Sequence, residues 1–277
     1  MLIDLPALAP RLRHDAAGYW SAEEPGPVLY PGYGNEFCFA VEPHSFWFSH
    51  RNAVILAAVR THPPAAGPIF DVGAGNGYVA AALCDAGFPT VAIEPNRTGA
   101  ANAARRGLAA VHGSLESAGF QDATAGAIAL FDVLEHIPND RDFLAGLTRY
   151  LRPNGRLYVT VPAYSALWSD ADVEAGHQRR YTRPELGAVI EASGYDVEYT
   201  TYFFWWLPLP IAAVRVVGSR LPWRRTNAQP ASSEHTLGGR LARSVALRSF
   251  AFEIGLIARG RVVPCGGSCL AIARVKR

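Results

Sequence analysis

The sequence predicts an α/β protein in which a mostly parallel β-sheet has helices on both faces. Between residues 69 and 162, five short apolar runs alternate with longer segments of helical character. Short turns join these segments, as is typical of strand–helix repeats. A glycine-rich turn at residues 73–77 directly follows the first strand. Because ligands of such sheets bind beyond the carboxyl ends of the strands, the pattern also predicts a binding site at this turn.

Length and composition indicate a globular protein with a sizeable core. The chain has 277 residues, of which 49% are hydrophobic and 18% charged, and this size suits one large domain or two small ones. The N-terminus has no basic and apolar leader, and no uncharged apolar run reaches 18 residues. We therefore expect neither secretion nor a membrane-spanning helix, and we expect a cytoplasmic location.

Charge divides the chain into two unequal regions. Residues 201–277 contain twelve arginines and lysines against two glutamates, whereas the first 200 residues contain 14 basic and 22 acidic residues. The basic region begins with an aromatic, proline-broken stretch at residues 203–210 and continues with arginines up to Arg225. This composition suits a membrane interface. A lid over an acceptor pocket, or arginines that merely keep an apolar segment in solution, are the competing interpretations.

The first strand and its glycine loop form the centre of the predicted site. Ile69–Val72 is predicted as a buried strand, the loop has glycine at positions 73, 75 and 77, and a helix follows from Tyr78. Glycine lacks a Cβ, so this backbone reaches positive φ and lets a ligand approach closely. The next strand, Thr90–Ile93, ends in Glu94, where a carboxylate is placed to bind two ribose hydroxyls.

The string D-V-G-A-G-N-G at residues 71–77 resembles motif I of the class I S-adenosylmethionine (SAM) dependent methyltransferases. The resemblance implies a Rossmann-like fold with a seven-stranded, mostly parallel sheet, and SAM as the cofactor. It also implies an adenine contact in the turn after the third strand, where Ser114 stands in place of the acid of many members and Glu116 or the backbone is the alternative. The candidate cofactor-binding residues are Arg51, Asp71, Gly73, Gly75, Gly77, Glu94, Pro95, Ser114, Leu115 and Phe131.

A predicted helix before motif I, residues 50–60, carries Arg51. In related methyltransferases an aromatic residue and an arginine of this helix often face the amino-acid end of the cofactor. Arg51 is suited to bind the methionine carboxylate through two parallel hydrogen bonds. The alternative is that Trp47 and Phe48 belong to the core while Arg51 lies on the surface.

The fourth strand, Ala125–Phe131, runs into D-V-L-E-H-I-P, which resembles the LEH motif of many small-molecule and lipid methyltransferases. In ubiquinone-pathway and small-RNA methyltransferases, an E-x-x-E-H stretch binds a divalent cation. By that resemblance Asp132, Glu135 and His136 are candidate ligands for Mg²⁺ or a similar ion, although Asp132 is one methylene shorter than the usual Glu. Because LEH alone does not imply a metal, we expect none, and we expect His136 to lie beside the cofactor or to orient the acceptor.

The segment after the fifth strand, Arg156–Pro162, is long, aromatic and charged and is predicted to form the acceptor site. Its string G-H-x-R-R-Y-T, residues 176–182, resembles methyltransferases of glycan, lipid and secondary-metabolite pathways. His177 is the candidate catalytic base, because imidazole titrates near neutral pH. The candidate acceptor-binding residues are Trp168, Arg179, Arg180 and Tyr181. The alternative is structural: Arg180 pairs with Asp170 or Asp172, and Thr182 caps the next helix.

These observations predict a SAM-dependent methyltransferase that acts on an oxygen of a small hydrophobic, lipid-linked or glycan-related acceptor. The alternatives are an RNA methyltransferase that uses the basic region, which is disfavoured because that region has a single lysine and no recognisable RNA-binding module, and a SAM-binding regulatory protein without turnover. We expect no nucleic-acid partner, and peripheral contact with a membrane. The predicted layout is an irregular arm (1–44), a SAM-binding core (45–202), a large apolar, basic helical insertion (203–268) and a last strand (269–277).

Overall fold

A computed structural model describes residues 3–28, 34–206 and 240–276. The described α-helices are α1 (Leu5–Leu8), α2 (Gly34–Val41), α3 (Phe46–Thr61), α4 (Tyr78–Asp85), α5 (Arg97–Arg105), α6 (Asp140–Leu147), α7 (Asp170–Ala175), α8 (Arg183–Ala192) and α9 (Arg240–Ile257). The described strands are β1 (Arg13–His14), β2 (Trp20–Ser21), β3 (Ile69–Val72), β4 (Thr90–Glu94), β5 (Ala109–His112), β6 (Ala125–Phe131), β7 (Leu151–Pro162), β8 (Tyr195–Phe203) and β9 (Ser268–Val275). The α/β class predicted from the sequence is confirmed.

The strands form one mixed, mostly parallel sheet in the order β1-β2-β5-β4-β3-β6-β7-β9-β8. Strands β2 to β7 pair in parallel, whereas β9 is antiparallel to both β7 and β8. The described sheet therefore has nine strands where seven were predicted. The two additional strands, β1 and β2, come from the arm and cover the edge of β5 through the pair Trp20–Val111. An edge strand with unpaired backbone groups is covered in this way.

Alternate residues of the central strands pack into two apolar clusters, one on each face of the sheet. Phe70 and Ile128 pack with Leu144 and Leu186 of α6 and α8. Ile69 and its neighbours on the other face pack against α3. Both faces are thus covered by helices, and the carboxyl ends of β3, β4 and β6 meet at one edge of the sheet.

Two parts of the chain differ from the prediction. Residues 1–44, predicted to be irregular, contain α1, β1, β2 and α2. The fifth strand, predicted to begin at Arg156, begins at Leu151 as β7; its register against β6 jumps from Leu151 to Arg156, and Asn154 between them has a φ of 63°. Residues 152–155 therefore form a bulge in the ladder.

The segment between β8 and β9, which was predicted as a helical insertion, contributes α9. Residues 207–239, which include the predicted arginine cluster up to Arg225, lie outside the described residues. The buried carboxylate of Glu253 on α9 accepts hydrogen bonds from the backbone N–H groups of Phe204 (3.1 Å) and Trp205 (2.9 Å) and contacts Nε2 of His50 on α3. Of the described helices, none is both long and apolar enough to cross a membrane.

Candidate active site

The glycine loop between β3 and α4 has the backbone that the sequence predicted. Gly73, Gly75 and Gly77 have φ values of 75°, 54° and 73°, in the left-handed region that favours glycine. A Cβ at Gly73 would lie 2.7 Å from Val133, and one at Gly77 would lie 2.5 Å from Leu108. A Cβ at Gly75, in contrast, would have no atom within 4 Å. Two glycines therefore allow close packing, and the middle one leaves space for a ligand.

That space is a cavity of about 280 Å³ at the carboxyl edge of the sheet. It is lined by Asn35, Cys38, Glu42, Trp47, Phe48, Arg51, Gly73, Ala74, Gly75, Asn76, Tyr78, Val79, Phe131 and Asp132. A larger cavity of about 450 Å³ lies where β4 and β5 begin, among Leu5, Trp20 and Leu108. We assign the site to the smaller cavity, because ligands of parallel sheets bind at the carboxyl ends of the strands.

Arg51 of α3 lies in the cavity wall and not on the surface. Its Nη2 is 2.7 Å from Oδ2 of Asp132, its guanidinium lies 5.7 Å from the ring centre of Trp47, and its buried Nε has no hydrogen-bond partner among the residues that the structure describes. Trp47 and Phe48 line the same cavity. The Nε–H group of this guanidinium is thus still able to donate a hydrogen bond, which suits a carboxylate ligand.

Glu94 reaches the glycine loop, but it is fully buried and outside the cavity lining. Its two oxygens accept hydrogen bonds of 2.7 Å from the backbone N–H groups of Gly75 and Asn96. Its contact with a ribose stays a prediction. Asp71 is also buried, and this burial, helped by the nearby Glu94 and opposed by Arg51, raises the pKa of Asp71 to about 7.

The turn predicted to contact adenine follows β5, but its side chains make contacts within the protein. The Oγ of Ser114 accepts a hydrogen bond of 3.0 Å from the N–H of Ser117, and Leu115 packs in the core. Neither of them lines the cavity, nor does Pro95, whereas Phe131 does. The adenine contact therefore stays a prediction.

Sequence reasoning missed the part of the site that comes from the arm. Glu42 is buried, and it accepts hydrogen bonds from Nδ2 of Asn76 (3.2 Å) and Nη2 of Arg106 (2.7 Å). Burial raises the pKa of Glu42, although Asn76 and Arg106 oppose this shift. Asn76 lies between two loop glycines, which was a usable signal, but nothing near Glu42 in the sequence indicated its role.

Next to this cavity, the structure brings together Glu135, His136 and His177. One ligand-type atom of each residue lies within 4.8 Å of the others. Glu135 is fully buried, and burial, together with the nearby Asp132, raises its pKa well above the usual range. Burial and the adjacent His177 lower the pKa of His136.

This cluster corrects the predicted metal set. Asp132 does not join Glu135 and His136, because its φ of 58° directs the carboxylate to Nη2 of Arg51 and to the hydroxyl of Thr160, 3.0 Å away. His177 takes its place. The D-x-x-E-H spacing did not indicate this, since His177 arrives from the loop after α7.

Asp172 of α7 orients His177. The Nδ1 atom of His177 lies 2.9 Å from Oδ1 of Asp172, and the guanidinium of Arg180 binds both carboxylate oxygens, at 2.7 and 2.9 Å. Burial alone would raise the pKa of Asp172, but the hydrogen bonds from Arg180 and His177 outweigh it and hold this pKa at about 2. An ionised carboxylate on Nδ1 assigns the proton to that nitrogen and leaves Nε2 to face Glu135, 4.0 Å away.

The predicted acceptor-binding residues mostly have structural partners. Arg180 pairs with Asp172, as in the structural alternative, and Thr182 caps α8 through a capping box with Glu185. Arg179 binds Asp140 at 2.9 Å, and the hydroxyl of buried Tyr181 donates to the same carboxylate. The prediction that Arg179, Arg180 and Tyr181 bind the acceptor is therefore not supported by their contacts. Trp168 is 38% exposed, so its role stays a prediction.

A glycine-lined cavity at the carboxyl edge, an arginine in its wall and an acid–imidazole cluster beside it define a SAM-dependent methyltransferase. Residues 47–200 match the family model described as a methyltransferase domain, so the chain belongs to that family. The residues of the cavity fit SAM, because the space at Gly75 admits a ligand and the buried Nε of Arg51 has no hydrogen-bond partner among the described residues.

Comparisons with individual proteins agree with the fold. A probable SAM-dependent methyltransferase of Mycolicibacterium smegmatis is 25% identical over 182 residues, which cover 64% of this chain and 70% of that protein. A SAM-dependent methyltransferase of Thermotoga maritima has a TM-score of 0.52 at 15% identity and covers 88% of this chain and 95% of its own. Phosphoethanolamine N-methyltransferase 2 of Haemonchus contortus, solved with SAM, has a TM-score of 0.51 at 15% identity, with 82% and 52% covered.

Proposed function

We propose that this methyltransferase transfers the methyl group of SAM to an oxygen of a small hydrophobic, lipid-linked or glycan-related acceptor. The observation that supports this proposal is the Asp172–His177 pair beside the cofactor cavity. A hydroxyl acceptor must lose a proton, whereas an acceptor that is already ionised needs no base. A histidine whose Nδ1 is held by a carboxylate provides a proton acceptor at Nε2.

In this proposal the residues of the cavity bind and align rather than react. Bound SAM supplies an electrophilic methyl group, and the protein has to hold the acceptor in line with it and exclude water. The loop at Gly75 and the guanidinium of Arg51 hold the cofactor, with Glu94 at the ribose. His177 accepts the hydroxyl proton, and His136, in ring contact with it at a centroid distance of 4.9 Å, flanks the acceptor.

A peripheral membrane contact is the second part of the proposal, because a lipid-linked acceptor is presented at a membrane surface. On α9, Leu247 and Phe252 are 51% and 64% exposed and Arg248 is also exposed, as is Arg259, which follows the end of the helix at Ile257. The acid of α9, Glu253, is buried. An apolar and cationic helix face suits an interface of anionic lipids. We expect the protein to sediment with phosphatidylglycerol vesicles but not with phosphatidylcholine vesicles. If it sediments with neither kind of vesicle, this part of the proposal is wrong.

The central test is a methyl-donor assay after calorimetric titration with SAM. A panel of acceptors that differ in the reacting atom, as hydroxyl and amine pairs on one apolar scaffold, is compared with RNA. We expect turnover on the hydroxyl members. His177→Ala should leave the Kd for SAM unchanged and lower kcat by roughly 100-fold or more, while His44→Ala, at an exposed histidine, should change neither. Turnover of amines or RNA alone would show that the acceptor is wrong.

A further inference from the structure

The carboxylate of Glu135 is an unusual group in this protein. It is fully buried, and neither of its two oxygens has a hydrogen-bond partner among the described residues. Buried carboxylates are normally paired, hydrogen-bonded or bound to a metal, because an isolated one is strongly disfavoured in an apolar interior. Its Oε1 lies 4.0 Å from Nε2 of His177, too far for a hydrogen bond and directed at the same small space.

Both histidines of the cluster are oriented through one ring nitrogen. Nδ1 of His177 is held by the Asp172 carboxylate at 2.9 Å, and Nδ1 of His136 lies 3.4 Å from the carbonyl oxygen of Gly176. Such contacts are typical of imidazoles that bind a metal through the other nitrogen, since they set the tautomer and the ring direction. Arg180 in turn fixes Asp172 with two hydrogen bonds.

From these contacts we propose that Glu135, His136 and His177 bind one divalent transition-metal cation. The three ligand-type atoms already lie within 4.8 Å of one another, so small side-chain movements bring them to bonding distances of about 2.0–2.2 Å. Two imidazoles and one carboxylate favour Zn²⁺, Mn²⁺ or Fe²⁺ over Mg²⁺, which prefers oxygen ligands. Three protein ligands leave open positions, as in catalytic rather than structural sites.

Cation binding does not depend on the proposed function, but the role of the cation in methyl transfer rests on it. A coordinated acceptor hydroxyl is more acidic, so its O–H bond breaks and the proton passes to water. The oxygen then uses that electron pair to bond the methyl carbon, and the sulfur of SAM keeps the pair of the broken C–S bond. Because Nε2 cannot hold a cation and a proton together, the role of His177 depends on the cation: it is the base of the proposed function when no cation is bound, and a ligand when one is.

The test is calorimetric titration of the chelator-treated, full-length protein with ZnCl₂ or MnCl₂ alone, together with the visible absorption spectrum of added Co²⁺. We expect one equivalent to bind. Glu135→Gln and His177→Asn should each weaken binding by roughly 100-fold or more and remove the Co²⁺ absorption, and Asp172→Asn should weaken it roughly 10- to 100-fold. Circular dichroism checks that each variant is folded.

Asp132→Asn is the matched control, because Asp132 is the ligand that the sequence spacing predicts and the structure directs to Arg51. Its cation affinity should change far less than that of Glu135→Gln, since Asp132 lies outside the proposed ligand set and acts on Glu135 only through its charge. Absent binding, or binding that Glu135→Gln leaves intact, would overturn the site, and so would loss in Asp132→Asn alone. If the cation binds as expected but no hydroxyl is methylated, the site stands and the proposed acceptor fails.

Discussion

The two halves of the cleft are built in different ways. In the cofactor half, the surface at Gly75 is bare backbone, and both oxygens of Glu94 are bound by backbone N–H groups. In the acceptor half, side chains orient side chains: Arg180 holds Asp172 and Asp172 holds His177, while neither carboxylate oxygen of the buried Glu135 has a hydrogen-bond partner in the described part of the chain.

This difference separates the residues that bind the cofactor from the residues that act in the methyl-transfer reaction. A backbone surface has one conformation, so it provides a fixed binding site for a cofactor whose reactivity is its own. Burying an ionisable side chain costs free energy and perturbs its pKa, and perturbed pKa values are characteristic of reacting centres. We therefore expect substitutions in the first half to change cofactor binding, and substitutions in the second half to change turnover.

The largest effect is expected for Gly75→Val. The added side chain occupies the space that the ligand needs, so SAM affinity should fall by roughly 100-fold or more, which is about 2.7 kcal/mol. Gly87→Val is the matched control: Gly87 also has a positive φ, 88°, and an open Cβ position, so it carries a similar backbone strain of about 1–2 kcal/mol. Calorimetry should show weak binding only for Gly75→Val. Equal losses would mean that strain, and not space, explains the result.

The next effect concerns the acceptor half. Asp172→Asn removes the charge that orients His177, so kcat should fall by roughly 10- to 100-fold while the Kd for SAM stays within about twofold. Asp170→Asn, an exposed acid on the same helix, serves as the control. The separation between the halves breaks down if Asp172→Asn weakens SAM binding as much as it slows turnover.

The smallest effect is expected in stability, at Asp71. Its pKa in the folded protein is raised from 3.8 to about 7, so the folded state binds this proton more tightly than the unfolded state does. The stabilisation is complete below about pH 4 and is lost as the pH rises to about 7. Asp71→Asn should therefore unfold a few degrees higher than the parent at pH 8, and this difference should shrink towards pH 4.

Thermal unfolding followed by circular dichroism at several pH values measures this effect. Asp85→Asn, at an exposed acid of α4, should unfold with the parent at every pH. A constant difference between Asp71→Asn and the parent would show that the carboxyl does not titrate as described.

Local patterns predicted the backbone of the cofactor half. The bounds of β3 and the positive φ values of the loop glycines follow from a short apolar run and from glycine chemistry, and both are confirmed. The two strands of the arm could not be predicted, because two residues are too few for a period-two pattern. Glu42 was missed for a related reason: its partners Asn76 and Arg106 are distant in sequence.

The acceptor half shows where spacing misleads. Asp132 and Glu135 are close in sequence, yet the left-handed turn at Asp132 and the 3₁₀ helix Leu134–His136 direct their side chains to different partners. His177 is 42 positions away from Glu135 and meets it through the packing of the loop after α7. All of these residues were candidates in the sequence, but their grouping depends on tertiary contacts that no local pattern encodes.

The contact between Glu253 and His50 has a structural consequence. His50 is joined by one peptide bond to Arg51, the guanidinium in the cavity wall, and Glu253 also ties down the chain where β8 ends. The helix α9 is therefore linked, through His50 and the adjacent Arg51, to the wall of the candidate cofactor cavity. A partner bound to α9 would therefore contact a helix whose buried glutamate is only one residue away, through His50, from the arginine of the cavity.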